Sequence, residues 1–486
     1  MTENSNGPRT KLTRRILLGA GVLAAGAAAI GVGVLTSRKG GAIVPGRSRA
    51  RVVAGDDTPP PDTDVVVVGG GNIGCLAALT LAERGVKVAL CEKGVIAGEA
   101  SGRSLGYVDS LFLDPVKVEI VARSKQLWEE MNTRVGGETG FRRTGIAALF
   151  PTDEGVEFAR GWVSSLQGAP GVESRILGSQ QAAALATGCA DRPAGALYEP
   201  TDGIAEPQLA APAIAARVRQ LGGSVLQNCA VRGVETSGGR ISAVVTEKGR
   251  IACSSVVVTS GIWSPVFLRS LGLDLPQFMA FGCAMRFAPS DGPTAGLVST
   301  QRNIVMRRGL DGSYDVCKPL ASTPVTPSTV ANLFRLIPAL QNMGDQLEPV
   351  LNLSTFLSQW RIPTRWALDR PSPFEANRIF TPETRKDMLD EVAGQMKAAF
   401  PTIGTGRVTD RWAGAMMTTL DNMPVISAVG GHPGLFVGSG FYYGLTMAPA
   451  AGEALADLVM GRKPQFDLQL YRFSRFSDGS PTVFRA

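Results

Sequence analysis

Gly69, Gly71 and Gly74 stand in the spacing GxGxxG, directly after Asp64 and four consecutive valines and at the start of an apolar stretch reaching Arg84. Four valines in a row make a strand buried on both faces. The first glycine permits a tight turn. The second lets backbone approach a pyrophosphate, and the third lets the following helix pack on the strand. That helix opens at Asn72 and Ile73 and stops at Gly85, and a second strand, Val86–Cys91, leads into Glu92. An acid at that place accepts hydrogen bonds from adenosine ribose hydroxyls. Strand, turn, helix, strand and acid are all in order, so a dinucleotide site is expected here.

The rest of the inventory narrows the chemistry. His432 is the only histidine and lies in Gly-Gly-His-Pro-Gly, which reads as a turn. A Ser-His-Asp hydrolase would have to use it as the base, and no metal site is expected. Seven cysteines, an odd number without CxxC pairs, argue against a disulfide framework. The net charge of +7 is concentrated in the first 51 residues, and the remainder is near neutral. No basic patch for nucleic acid is evident there.

The dinucleotide motif does not separate NAD from FAD, but later segments do. Ser224–Gly261 reads as short strands with turns at Ser237-Gly238-Gly239 and Glu247-Lys248-Gly249, ending in Val256-Val257-Val258 and Gly261-Ile262-Trp263. Near the C-terminus, Leu435-Phe436-Val437-Gly438-Ser439-Gly440 precedes a helical pattern opening at Gly444, Leu445 and Thr446. A second strand, glycine turn and helix N-terminus favours negative charge. The N1–C2=O edge of a reduced flavin is its natural client, so the expected cofactor is FAD.

At the other end, Arg14-Arg15 precedes an uncharged, Gly/Ala-rich apolar run from Ile16 to Leu35. This has the form of a twin-arginine export signal. Twenty residues as helix span about 30 Å, so the run can also remain as a membrane anchor. Residues 36–61 lack periodicity and read as a linker.

Taken together, the chain resembles the D-amino-acid oxidase superfamily of FAD amine oxidoreductases, and within it the bacterial membrane-bound L-amino-acid deaminases. The resemblance is carried by the leader, Val44-Pro45-Gly46, Leu81-Ala82-Glu83-Arg84-Gly85, Glu92-Lys93-Gly94, Ile96-Ala97-Gly98-Glu99, Val245-Thr246-Glu247-Lys248-Gly249, Ser372-Pro373-Phe374-Glu375 and Trp412-Ala413-Gly414-Ala415-Met416. It implies noncovalently held FAD and oxidation of an L-amino acid to a 2-keto acid and ammonium by hydride transfer from Cα to flavin N5. Electrons then pass to a membrane acceptor, a quinone or cytochrome. It also implies that an inserted segment with Leu333-Phe334-Arg335-Leu336-Ile337 lies at the membrane. The cytoplasmic membrane, with the body on the periplasmic side, is the expected location; a soluble periplasmic protein after leader cleavage is the alternative.

Carried over residue by residue, the resemblance makes Arg307 the clamp for the substrate carboxylate, a role that strand alternation leaves open to Arg308. Lys93, Ser101, Arg103, Val231, Gly261 and Trp263 join the glycines of both turns as expected FAD contacts. Two departures mark the substrate pocket. Tyr107 stands where the deaminases have a glutamine, and Phe441-Tyr442-Tyr443 where they have a tryptophan, with Tyr443 the expected wall. These keep alternatives open: a D-amino-acid or secondary-amine oxidase or dehydrogenase, and a non-catalytic flavin electron carrier.

The expected class is α/β: a Rossmann-type FAD-binding domain from 62–134, 187–266 and 406–486, and an α+β substrate domain from 135–186 and 267–405. The second is expected to hold a large antiparallel sheet and an insertion near 320–375. A leader with a possible anchor (1–36) and a linker (37–61) precede both. Helices are readable at 115–135 and 209–221.

Overall fold

In the computed structural model, residues 43–45, 49–166, 168–343 and 347–485 are described. The leader and anchor expected at 1–36 lie outside the described residues. Among the described residues, no helix is long and apolar enough to cross a membrane.

The four valines form the strand Val65–Val68, each 7% exposed or less. It lies inside a six-stranded sheet, flanked on one side by Ser255–Val258 and Leu435–Ser439 and on the other by Val88–Cys91 and Ser224–Leu226. These five strands run parallel, and Val425–Ala428 adds an antiparallel edge to Leu435–Ser439. Parallel pairing buries both faces, so helices must cover them. Asn72–Glu83, Ala210–Gln220 and Gly444–Val459 do so, each buried along most of its length. The helix read at 115–135 is broken into a turn at Pro115–Lys117 and helices Val118–Glu129 and Met131–Val135. The strands and turns read in 224–261 appear as a three-stranded meander, Val231–Ser237, Arg240–Thr246 and Gly249–Ala252, followed by the parallel strand Ser255–Val258.

The second sheet has ten strands and is mixed rather than antiparallel. Gly296–Ser299 runs parallel to Ile146–Phe150, and Ala321–Pro324 parallel to Leu347–Val350. The other pairings are antiparallel, as between Gln277–Phe287 and Val408–Thr419. Two strands assigned from sequence to the dinucleotide half, Gly195–Glu199 and Val408–Thr419, pair in this second sheet instead. Gln277–Phe287 gives Val408–Thr419 a partner along nearly its whole length.

The insertion contributes the strands Ala321–Pro324 and Leu347–Val350 and the helices Leu333–Met343 and Leu353–Trp360. Leu336 and Leu340 are buried, but Phe334 is 86% and Trp360 68% exposed, with Val330, Leu353 and Leu357 also on the surface.

Candidate active site

Three turns converge at the C-terminal ends of the parallel strands. In the first, Gly69 adopts φ +112, and a Cβ on Gly74 would lie 2.0 Å from the Gly69 carbonyl oxygen. No other residue fits at Gly74 without opening the turn. The Asn72 backbone N–H donates to Ser101 Oγ at 3.0 Å. Glu92 accepts from the backbone N–H groups of Gly70 and Gly94, each at 2.7 Å. Burial pushes its carboxyl above the ordinary range despite these bonds and Lys93. In the second turn, Ser260 and Thr259 tie their hydroxyls to the Val68 carbonyl, and Gly261 takes φ +52. The third turn carries Gly438 and Gly440 into the N-terminus of Gly444–Val459.

This cradle fits a dinucleotide cofactor. Asn72 Oδ1, Ser104 Oγ and Ser264 Oγ are buried without a hydrogen-bond partner. Asn72 lies in the first turn, Ser104 in the loop that follows Ser101, and Ser264 directly after Trp263. Buried polar atoms are normally satisfied, and a cofactor with phosphate, ribose and heterocycle edges supplies partners of this kind. The N-terminus of a 16-residue helix adds a favourable field for negative charge.

Several residues expected to touch FAD hold the protein to itself. Lys93 Nζ pairs with Glu99 at 2.6 Å and donates to the carbonyls of Asn377 and Arg378. It also lies 4.7 Å above the Trp263 ring, whose Nε1 donates to Glu99 at 3.2 Å. Lys93 and Trp263 therefore fasten the cradle to the end of the insertion. Arg103 is 7% exposed and donates to the Ala413 carbonyl at 3.2 Å and Thr381 Oγ1 at 2.9 Å. Val231 is buried and opens the meander below Glu92.

Just past the third turn, Tyr442 and Tyr443 are half-buried, and Tyr107 is half-buried on the short strand Tyr107–Val108. Tyr442 and Tyr443 meet edge to face with ring centroids 5.1 Å apart, and Tyr107 Oη donates to the Met306 carbonyl at 2.6 Å. Burial pushes all three phenols up, Tyr442 to about 12. Burial likewise pushes the Cys317 thiol, whose field reaches Tyr107 and Tyr442, to about 12. Asp109 follows Tyr107 by two residues and accepts from Thr446 Oγ1 at 3.1 Å. Burial pushes its carboxyl to about 6.

Arg307 is placed differently from the expectation. Its side chain is 0% exposed. Nη1 and Nη2 fork onto Glu206 at 2.9 Å each, and Nη2 also meets Asp315 at 2.8 Å. Asp315 in turn holds Arg286 at 2.6 and 2.8 Å. Two cations and two carboxylates cancel, and only Arg307 Nε is without a partner. The guanidinium is a buried structural charge rather than an open carboxylate clamp. Arg308, the other candidate, is half-buried and leans on the Tyr314 ring at 6.0 Å.

Sequence reasoning missed Glu206, Asp315 and Asp109. Glu206 lies 101 residues from Arg307, and no local pattern links them. Asp109 directly follows the two-residue strand Tyr107–Val108, which is too short for alternation to have marked it.

A family model described as DAO, FAD dependent oxidoreductase, matches residues 64–458. The chain belongs to this family. Among members of known structure, it resembles an L-amino acid deaminase from Proteus myxofaciens in complex with anthranilate, at 32% identity and TM-score 0.87, over 91% of this chain and 100% of that one. An L-amino acid deaminase from Proteus vulgaris is 31% identical with TM-score 0.83, covering 87% and 100%. By sequence, a glycine oxidase from Pseudomonas putida is 26% identical, over 82% of this chain and 95% of the relative. The DAO fold, FAD dependence and amino-acid oxidoreductase class read from sequence are thereby established. The cradle is the candidate FAD site, and Tyr107, Tyr442 and Tyr443 are the candidate substrate-facing residues beside it.

Proposed function

We propose that the protein carries out oxidative deamination of an L-amino acid, giving a 2-keto acid and ammonium, with noncovalently held FAD and a membrane-bound electron acceptor. The observation that carries this reading is the full coverage of two L-amino acid deaminases, at 32% and 31% identity. FAD, when bound, supplies the two-electron acceptor. The protein's share is orientation and exclusion of water. Gly438, Gly440 and the helix opening at Gly444 fix one wall, and Tyr107, Tyr442 and Tyr443 fix the other. No protein group accepts from or donates to the Tyr442 and Tyr443 hydroxyls among the described residues. They are available as neutral donors to a substrate oxygen.

The exposed Phe334, Trp360, Leu353 and Leu357 support contact with a lipid surface or membrane partner. With the twin-arginine leader read from the sequence, this supports a catalytic body at the periplasmic face of the cytoplasmic membrane. Relatives named glycine oxidase and D-amino acid dehydrogenase favour a second reading, a D-amino acid or glycine as reductant. Anaerobic bleaching of the flavin by L- and D-amino acid panels decides between them. Bleaching by L-forms with release of ammonium is expected. Bleaching by D-forms alone would establish the second reading, and none by either would reject both.

A further inference from the structure

The first glycine turn is covered by the loop Ile96–Ser104. The Ala97 N–H donates to the Gly70 carbonyl at 3.0 Å, and Ser101 Oγ accepts from the Asn72 N–H at 3.0 Å. At Glu99 the loop is held by Lys93 and Trp263. Its other ties run through the stretch that reads from sequence as a linker. Over its described residues that stretch lies against the body: Ile43–Pro45 pairs antiparallel with Phe380–Pro382, and Asp56 accepts from the Val225 N–H and from Arg219, each at 2.7 Å.

Four residues reach the loop with one group and this stretch with another. Gln227 Oε1 accepts from the Ile96 N–H at 2.9 Å, while its Nε2 donates to the Val53 carbonyl at 2.9 Å. Gln208 Nε2 donates to the Gly102 carbonyl at 3.3 Å, while the Gln208 carbonyl accepts from the Arg51 N–H at 2.8 Å. Trp412 Nε1 donates to the Arg103 carbonyl at 2.9 Å, and the Arg49 guanidinium lies 4.0 Å from the Trp412 ring and pairs with Asp410. Thr381 Oγ1 accepts from Arg103 at 2.9 Å, and Thr381 is the backbone partner of Val44. One such bridge is an ordinary loop contact. Four, spread along both segments, make the closed position of the loop depend on the stretch beneath it, since a surface loop with few ties opens locally at small cost.

We propose that Ile43–Pro45 and Arg49–Asp56 form a strap that keeps the loop Ile96–Ser104 closed over the cradle and so governs retention of FAD, with Arg49 as its positioning residue. This rests on the cradle being the FAD site and is independent of which amine is oxidised.

Two measurements on the holoprotein test it, in wild type, Arg49→Ala, Arg49→Lys and Gln208→Leu. The first is release of FAD on dilution, followed by flavin fluorescence. Arg49→Ala should release FAD about 10-fold faster, the scale of a partly buried cation over an aromatic ring. Arg49→Lys keeps the cation but not the planar stack, and should come back to within about threefold of wild type. Gln208→Leu, which loses one hydrogen bond, should release FAD about 3- to 10-fold faster. The second is hydrogen exchange read by mass spectrometry. Exchange should rise in peptides covering 96–104 and stay unchanged in Gln277–Phe287, a strand of the other sheet. Unchanged release and unchanged loop exchange in both Arg49→Ala and Gln208→Leu overturn the strap and leave the cradle reading standing. Exchange that rises equally in both regions also overturns it, because general loss of stability then explains the release. If Arg49→Ala does not fold, Gln208→Leu decides by the same two readouts. A wild-type protein that holds no FAD removes the cradle reading and the strap with it.

Discussion

Replacing Arg307 by alanine separates a carboxylate clamp from a buried structural charge, because the two roles predict opposite results. In the structure, the guanidinium holds Glu206 through two contacts of 2.9 Å and Asp315 through one of 2.8 Å. Removing it leaves two buried carboxylates against the single cation Arg286. Loss of one partner from a buried ion pair costs about 3–5 kcal/mol, a large part of the roughly 5–15 kcal/mol that holds a typical domain folded. Arg307→Ala should therefore lower the thermal midpoint by many degrees and weaken retention of FAD. The folded fraction should keep a half-saturation for amino acids within about threefold of wild type, since no substrate contact was removed. The pH dependence follows. Burial pushes Glu206 up, but its hydrogen bonds to Arg307 outweigh this and hold it below the ordinary range. A lowered acid stabilises the fold above its unfolded pKa, and that stability is lost as pH falls through the folded value. Arg307→Ala should remove this acid-side loss of stability. Thermal melts followed by flavin fluorescence from pH 3.5 to 8, with bleaching titrations on the same samples, supply both readouts. An unchanged midpoint with half-saturation raised a hundredfold would refute the argument and restore the clamp.

Glu92→Gln removes the carboxylate that holds the Gly70 and Gly94 N–H groups of the first turn; FAD should bind about 10- to 100-fold more weakly in fluorescence titrations, the value of about 1.5–3 kcal/mol for charge-assisted hydrogen bonds. Burial pushes Asp202 to about 7 from 3.8, with Lys125 offsetting part of the shift. An acid raised in the fold contributes stability that is complete below 3.8 and lost as pH rises through 7. Denaturant melts between pH 4 and 8 should show this downward slope in wild type and a flatter profile in Asp202→Asn. Phe334→Ser with Trp360→Ser removes the two most exposed large apolar groups of the insertion; flotation with lipid vesicles should fall several-fold while bleaching by substrate is unchanged.

What was legible in the sequence was local. Four valines before GxGxxG specify strand, turn and helix because each choice depends on neighbours within a few residues, and the helix after Gly440 is read in the same way. Parallel pairing in the large sheet was not legible, since Gly296–Ser299 meets Ile146–Phe150 across nearly 150 residues of chain. The same holds for side chains whose partners are distant. Lys93 looks like a cofactor ligand until Asn377 and Arg378 arrive beside it, and Arg307 looks like a free clamp until Glu206 does. Ionisable residues near a motif are therefore read most safely for their position and least safely for their partners.

The backbone passes between the two sheets four times, the last time directly from Val408–Thr419 to Val425–Ala428. Neither half is a continuous stretch of polypeptide. A truncation that keeps one sheet whole must cut strands out of the other, so expression of a lone cofactor module or a lone substrate module should yield no soluble product. The same weave means that each sheet is complete only once strands far apart in the chain have met.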